Sequence, residues 1–269
     1  RAEERRGRVR EAERLYRVAL AARPSWPLAA VPLVRIVVAR AQPTLAAAIA
    51  EARRLIAAPR AAHPGHVLVD VVEAELLLEE DRAEEAKALL LAARSRGAPR
   101  VVDLALARAE NRIGLALASG GRSDEAAFAF KRACDLDDGW APPRANLGAL
   151  WQRLGRPRQA LEQYRRALAL DPAHPLASFN LGTLLRERGD LSGAARAFTQ
   201  AMAARPPHPD ARVELALALA ERGDDAEAIE LFEEELRLGR PVPATLRNLA
   251  KLYARGGRLI EAAALLHRA

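Results

Sequence analysis

The sequence is short of aromatics, lysine and cysteine, and each shortage closes off a class of protein. A single cysteine, Cys134, cannot build an internal disulfide framework, and no C-x-x-C or His/Cys cluster is present to hold zinc. Aromatics make up only 4% of the chain, too few to supply the stacking platforms that single-stranded nucleic acids need. The most apolar stretch, Leu28 to Ala39, is interrupted by Pro32 and Arg35. It falls short of the roughly 20 residues of a membrane span, so no transmembrane segment is expected. No Walker loop, G-x-G-x-x-G, G-x-S-x-G or H-E-x-x-H occurs, which removes the common nucleotide, hydrolase and zinc-protease signatures. Catalytic residues, metal ligands and cofactor sites are accordingly all assigned as none. His63-Pro64-Gly65-His66 holds two imidazoles without a third ligand and reads as a turn-like linker. Cys134 reads as a small buried apolar residue.

What is abundant points to helices packed on helices. Half the residues are apolar, and these are mostly Ala, Leu and Val, mixed with Glu and Arg. Only Lys87, Lys131 and Lys251 stand among 42 basic residues, a bias that suits a GC-rich genome. The charge is uneven. Residues 1–60 carry thirteen Arg and five Glu, a net of +8, so the other residues sum to 7 − 8 = −1. Any attraction for acidic partners is therefore expected from the amino-terminal quarter.

The strongest signal is a repeat. Gly121, Gly155, Gly189, Gly223 and Gly257 recur at intervals of 34, as do Ala126, Ala160, Ala194, Ala228 and Ala262. A third column runs Phe130, Tyr164, Phe198, Phe232 and Leu266, and a fourth Gly114, Gly148, Gly182, Ala216 and Ala250. Each unit reads as a helical hairpin: Ala145 to Arg153, a turn at Leu154-Gly155-Arg156, then Pro157 to Leu170, then Asp171-Pro172. Gly155 stands where the first helix must stop, because a left-handed residue is cheap only for glycine. Pro172, Pro206 and Pro241 are expected just beyond second helices. Small residues, Gly148, Ala160 and Ala167, are expected where the two helices cross, with Leu147, Trp151, Leu161, Tyr164 and Leu168 filling the sides.

Asn146-Leu147-Gly148, Trp151, Gly155, Ala160, Tyr164, Ala167 and Asp171-Pro172 resemble the tetratricopeptide-repeat signature, W-x₂-L-G-x₂-Y…A-x₃-F…P. The resemblance covers residues 107–269 as five consecutive units, the last one truncated. Departures include Glu235 where Ala is usual and Arg144 where the signature Trp would stand. It implies an all-α fold, a right-handed α-α superhelical solenoid of tandem helix-turn-helix repeats. Residues 1–106 match more loosely and are expected to be degenerate repeats continuous with the rest. Gly7, Ala12, Tyr16, Ala19 and Pro24 reproduce the second half of a repeat; Ala86, Leu90 and Ala93 mark another second helix, with Asp81-Arg82 in place of the glycine turn. Helical patterns at Pro32–Ala41 and Thr44–Ala58 are separated by Pro43, Pro59 and Pro64 as breakers. Val101 to Ala118 looks like one helix, longer than its equivalents by about a turn and a half. With no polar cap at either end, the chain is expected to be a piece of a longer protein or assembly.

In such repeats the first helices line the inner face, and the resemblance implies that a protein partner or extended peptide binds there. The implied inward residues are Asn111, Arg112, Asn146, Gln152, Arg153, Phe179, Asn180, Arg186, Arg247, Asn248, Lys251 and Arg255, with Glu187 and Glu214 among them. A repeated Asn both donates to and accepts from an extended backbone, and Phe179 is the expected hot spot. The chaperone-clamping type of the family is not expected, since Leu115, Leu176, Val213 and Leu217 stand at its basic and amide positions. The other aromatics, Tyr16, Phe130, Trp151, Tyr164, Phe198, Phe232 and Tyr253, are assigned to the core, and Trp26 and Trp140 to packing at repeat junctions. Three functions follow: a non-enzymatic scaffold; a recognition arm of a larger glycosyltransferase, sulfotransferase or hydroxylase; or binding of nucleic acid or an anionic membrane surface through residues 1–60. Scarce aromatics and scattered charge argue against the third.

Overall fold

A computed structural model describes the backbone of residues 2–40, 44–239 and 243–268, and side chains from residue 8 onward. Among them are fifteen α-helices and no strand. They fall into two compact units, residues 1–138 and 139–269.

Unit 1 holds α1 (Ala2–Ala22), α2 (Pro27–Arg40), α3 (Leu45–Ala62), α4 (Val67–Glu79), α5 (Ala83–Arg94), α6 (Pro99–Ser119) and α7 (Ser123–Leu136). After α1 these pair as antiparallel hairpins α2/α3, α4/α5 and α6/α7, and the first helices α2, α4 and α6 touch side by side. Unit 2 holds α8 (Ala141–Arg153), α9 (Pro157–Leu170), α10 (Pro175–Glu187), α11 (Leu191–Ala203), α12 (Ala211–Arg222), α13 (Asp225–Arg237), α14 (Pro243–Arg255) and α15 (Leu259–Arg268). Its hairpins are α8/α9, α10/α11, α12/α13 and α14/α15, and each second helix also packs on the next first helix. No hairpin can hide its own apolar stripe, so each is stabilised by its neighbour.

The columns do what their chemistry predicts. All five turn glycines from Gly121 to Gly257 have φ between 67° and 99°. A Cβ added to Gly148 would stand 2.7 Å from the Tyr164 ring, and Gly114 and Gly182 face Phe130 and Phe198 equally closely. Tyr164, Phe130, Phe198 and Phe232 are fully buried; side chains of this kind contribute roughly 1.5–3 kcal/mol each. Ala126, Ala160, Ala194 and Ala228 are fully buried as well. Asp81 has φ 59° and takes the turn that glycine takes later, since Asp tolerates the left-handed region better than most residues.

Several expected boundaries move, most of them at prolines. Pro32 lies inside α2 rather than opening it, and Pro59 inside α3 rather than breaking it, so α2 starts at Pro27 and α3 runs to Ala62. Each gives up the one bond its amide would have made four residues back, to Leu28 and Leu55, and the buried faces of α2 and α3 hold the helices across it. α8 starts at Ala141, four residues before the expected Ala145, with Pro142 and Pro143 in its first turn. Proline opens α2, α6, α9, α10 and α14, the position for which its fixed φ suits it. α1 runs unbroken through position 7, so no turn forms at Gly7. The segment Val67 to Glu79 shows no clear stripe because α4 is buried nearly all round. Trp26 is 38% exposed beneath Arg23 instead of packed in a junction. Pro43 and Pro241 lie outside the described residues.

Candidate functional site

The candidate site is the first-helix side of each unit. In unit 2, α8 touches α10, α10 touches α12, and α12 touches α14. Residues 34 apart on these helices therefore form rows, and Asn146, Asn180, Glu214 and Asn248 make one row of half-buried polar side chains. Each keeps an engagement of its own or stands ready for one. Asn180 bonds through its amide to the Tyr164 hydroxyl, and that hydroxyl donates to Gln152 Oε1 at 2.8 Å. Burial pushes the Tyr164 hydroxyl up from its usual range, which keeps it a neutral donor. Glu214 pairs with Arg186 at 2.7 Å across α10 and α12. Burial nevertheless outweighs that arginine and holds the Glu214 carboxyl above the usual carboxylate range.

Phe179 is half-buried. Its ring stacks on His208 at 3.7 Å with an interplanar angle of 12° and tilts against Phe198 at 5.6 Å. Much of the expected hot spot is thus spent on internal packing. Arg153, Arg247, Lys251 and Arg255 are exposed, Arg255 reaching Asp225 at 3.0 Å, and Asn248 is half-buried.

Asn111 and Arg112 belong to unit 1. Asn111 is buried, contrary to its expected place on an open face, because α5 and α7 flank this stretch of α6. Arg112 is held by the Leu78 carbonyl at 2.9 Å and by Asp81.

At two of the positions reserved for the signature Trp stand buried or half-buried charged residues with partners. Glu110 is buried between Lys87 at 3.1 Å and Arg132 at 3.2 Å. Three repeats later Arg212 occupies the same column and pairs with Glu234 at 3.4 Å and Glu235 at 3.1 Å. The two columns have exchanged charge: Glu110 with Arg132 in one repeat, Arg212 with Glu234 in the other. Glu235, the departure from Ala, is thereby accounted for.

Sequence reasoning missed two cavities. One, of about 840 Å³, lies between α11, α12 and α13 and is lined by Arg196, Arg222, Arg237, Glu227, Glu230 and Glu234 in charge balance. The other, of about 620 Å³, is lined by residues of α2, α4 and α6.

The basic amino-terminal quarter also looks different once folded. Arg35 binds Glu75, Arg53 binds Glu73 and Glu80, and Arg60 reaches Glu73. Residues 61–81 contain six acidic residues and no Lys or Arg, so much of the surplus is answered by carboxylates that follow it. The premise for an anionic partner at residues 1–60 is correspondingly weakened.

Residues 151–201 and 182–243 match the family model described as tetratricopeptide repeat. Residues 151–243 thus carry tetratricopeptide repeats. Its fold is an all-α helical-repeat solenoid. No curated protein sequence matches it. Among solved structures, MamA from Desulfovibrio magneticus RS-1 is 21% identical, with 60% of this chain and 92% of that one covered and a TM-score of 0.54. PilF of Pseudomonas aeruginosa is 25% identical, covering 61% and 76%, at 0.53. The Cut9-Hcn1 hetero-tetramer of the APC/C is 16% identical and covers 97% of this chain and 52% of its own, at 0.57. The repeats point to a protein–protein interaction scaffold.

Proposed function

We propose that this tetratricopeptide-repeat protein is a non-enzymatic scaffold that holds an extended peptide or partner protein on the first-helix face of residues 139–269. The supporting observation is the polar row on α8, α10, α12 and α14, spaced by whole repeats. Asn180 gives one bond to Tyr164, and an asparagine amide carries two protons and a carbonyl; Asn146 and Asn248 stand at the same position one repeat before and two after. Lys251, Arg247 and Arg255 make the α14 end of the face basic, which favours a partner segment with acidic residues at that end. The repeat array is read as unbroken across residues 106 and 107, which lie within the one helix α6.

A photo-crosslinking amino acid placed at Asn248 or Asn146, compared with one at Arg165 on the exposed side of α9, tests this reading. Partner adducts are expected from the first two positions alone. Equal adducts from position 165, or adducts from there only, overturn it.

A further inference from the structure

We infer that residues 1–138 carry a second binding site, an apolar groove between α2, α4 and α6 that takes an extended partner segment with an aliphatic side chain beside a carboxylate. The inference rests on reading first-helix faces as protein-binding surfaces, and it concerns different residues from the polar row above.

The groove exists because α6 is long. One repeat before Ala141, the start of α8, is Ala107, yet α6 already begins at Pro99. These roughly two extra turns carry Val101 and Leu104, which line the groove with Val34 and Val38 of α2 and Val72 and Leu76 of α4. Val72, Leu76 and Val34 are buried and form the floor; Val101, Leu104 and Val38 remain partly open to solvent and form the walls. The groove's volume, about 620 Å³, falls in the range of roughly 300–1,000 Å³ typical of ligand clefts, which combine apolar lining with a few placed polar groups.

The polar group here is an arginine with capacity to spare. Arg35 binds both oxygens of Glu75 at 2.9 Å in a bidentate fork, which satisfies that carboxylate. Arg108 reaches the same carboxylate at only 3.4 Å and makes no other ion pair among the described residues. Of its five N–H donors at most one is used, and they lie at the rim of an apolar groove. A guanidinium so placed recognises a carboxylate, and the aliphatic floor beside it selects the neighbouring residue. Glu79, exposed one turn further along α4, repels a carboxylate at its own end, so the acid is directed to the Arg108 side.

Panning a displayed library of random twelve-residue peptides against the whole protein tests this. Enriched peptides are expected to pair Leu, Ile or Val with an adjacent Asp or Glu. Binding of a synthetic enriched peptide is expected to weaken at least tenfold in Arg108→Glu and in Leu104→Gln, each checked for unchanged helicity. It is expected to be unaltered in Asn146→Ala/Asn248→Ala. Failure to enrich, enrichment without an acidic position, or affinity untouched by Arg108→Glu overturns the site. Loss of binding in the asparagine pair alone also overturns it, and assigns the peptide to the polar row.

Discussion

Arg212 of α12 pairs with the buried Glu235 of α13 at 3.1 Å, in a column where Ala133, Ala167 and Ala201 are fully buried. The two ends of this pair are unequal. Arg212→Ala strands a buried carboxylate and is expected to cost about 3 kcal/mol or more. Glu235→Ala leaves Arg212 with Glu234 and installs the residue that fits the other repeats, so it is expected to stay within about 1 kcal/mol of the parent. Urea denaturation of both variants checks the asymmetry; equal losses would contradict it.

The crossing of Gly148 with Tyr164 leaves no space for a methyl group. Gly148→Ala is expected to destabilise by about 1–3 kcal/mol, despite alanine's better helix propensity, because ring and backbone must part. Ala160→Leu is expected to cost a similar amount, since Ala160 is fully buried. Thermal unfolding of either variant within a degree of the parent would refute the packing described.

Asp81 holds a left-handed turn at φ 59° where five later repeats use glycine. Asp81→Gly relieves that conformation and gives up only an exposed contact with Arg112, a type worth little. A gain of up to about 1 kcal/mol is expected, read as a higher denaturation midpoint.

Two histidines give the fold a pH dependence of definite sign. His174 caps α10 by accepting from the Ala177 amide at 3.2 Å through Nδ1, and His208 stacks on Phe179 while accepting from the Asp210 amide at 3.3 Å. Both acceptors require neutral imidazole, and burial lowers both proton affinities below the ordinary value. The unfolded chain takes up protons near pH 6.5, before the folded chain does, so stability is full above that pH and declines as pH falls toward the folded values. Midpoints measured from pH 8 to 5.5 are expected to fall, and less so in His174→Asn. The raised Glu214 carboxyl acts with the opposite sign, and the comparison with His174→Asn isolates the histidine's part.

The columns of glycine, alanine and aromatics were legible along the chain because each answers to a local demand, a turn or a crossing, repeated every 34 residues. The rows on the first-helix face were legible for the same reason. Helix starts at proline were misplaced, since one residue type both ends and begins helices and its neighbours decide which. α4 escaped notice as an amphipathic element because burial on all sides leaves no stripe to detect.

The sequence by itself determined the hairpin period and the all-helical class, because those follow from steric rules acting within one repeat. Only the tertiary structure decided which charges meet and where a cleft opens. Arg35 finds Glu75 forty residues away, Arg53 finds Glu80, and Phe179 turns inward onto His208. These pairings join segments far apart along the chain through side-chain reach and burial, quantities that no spacing along the chain encodes.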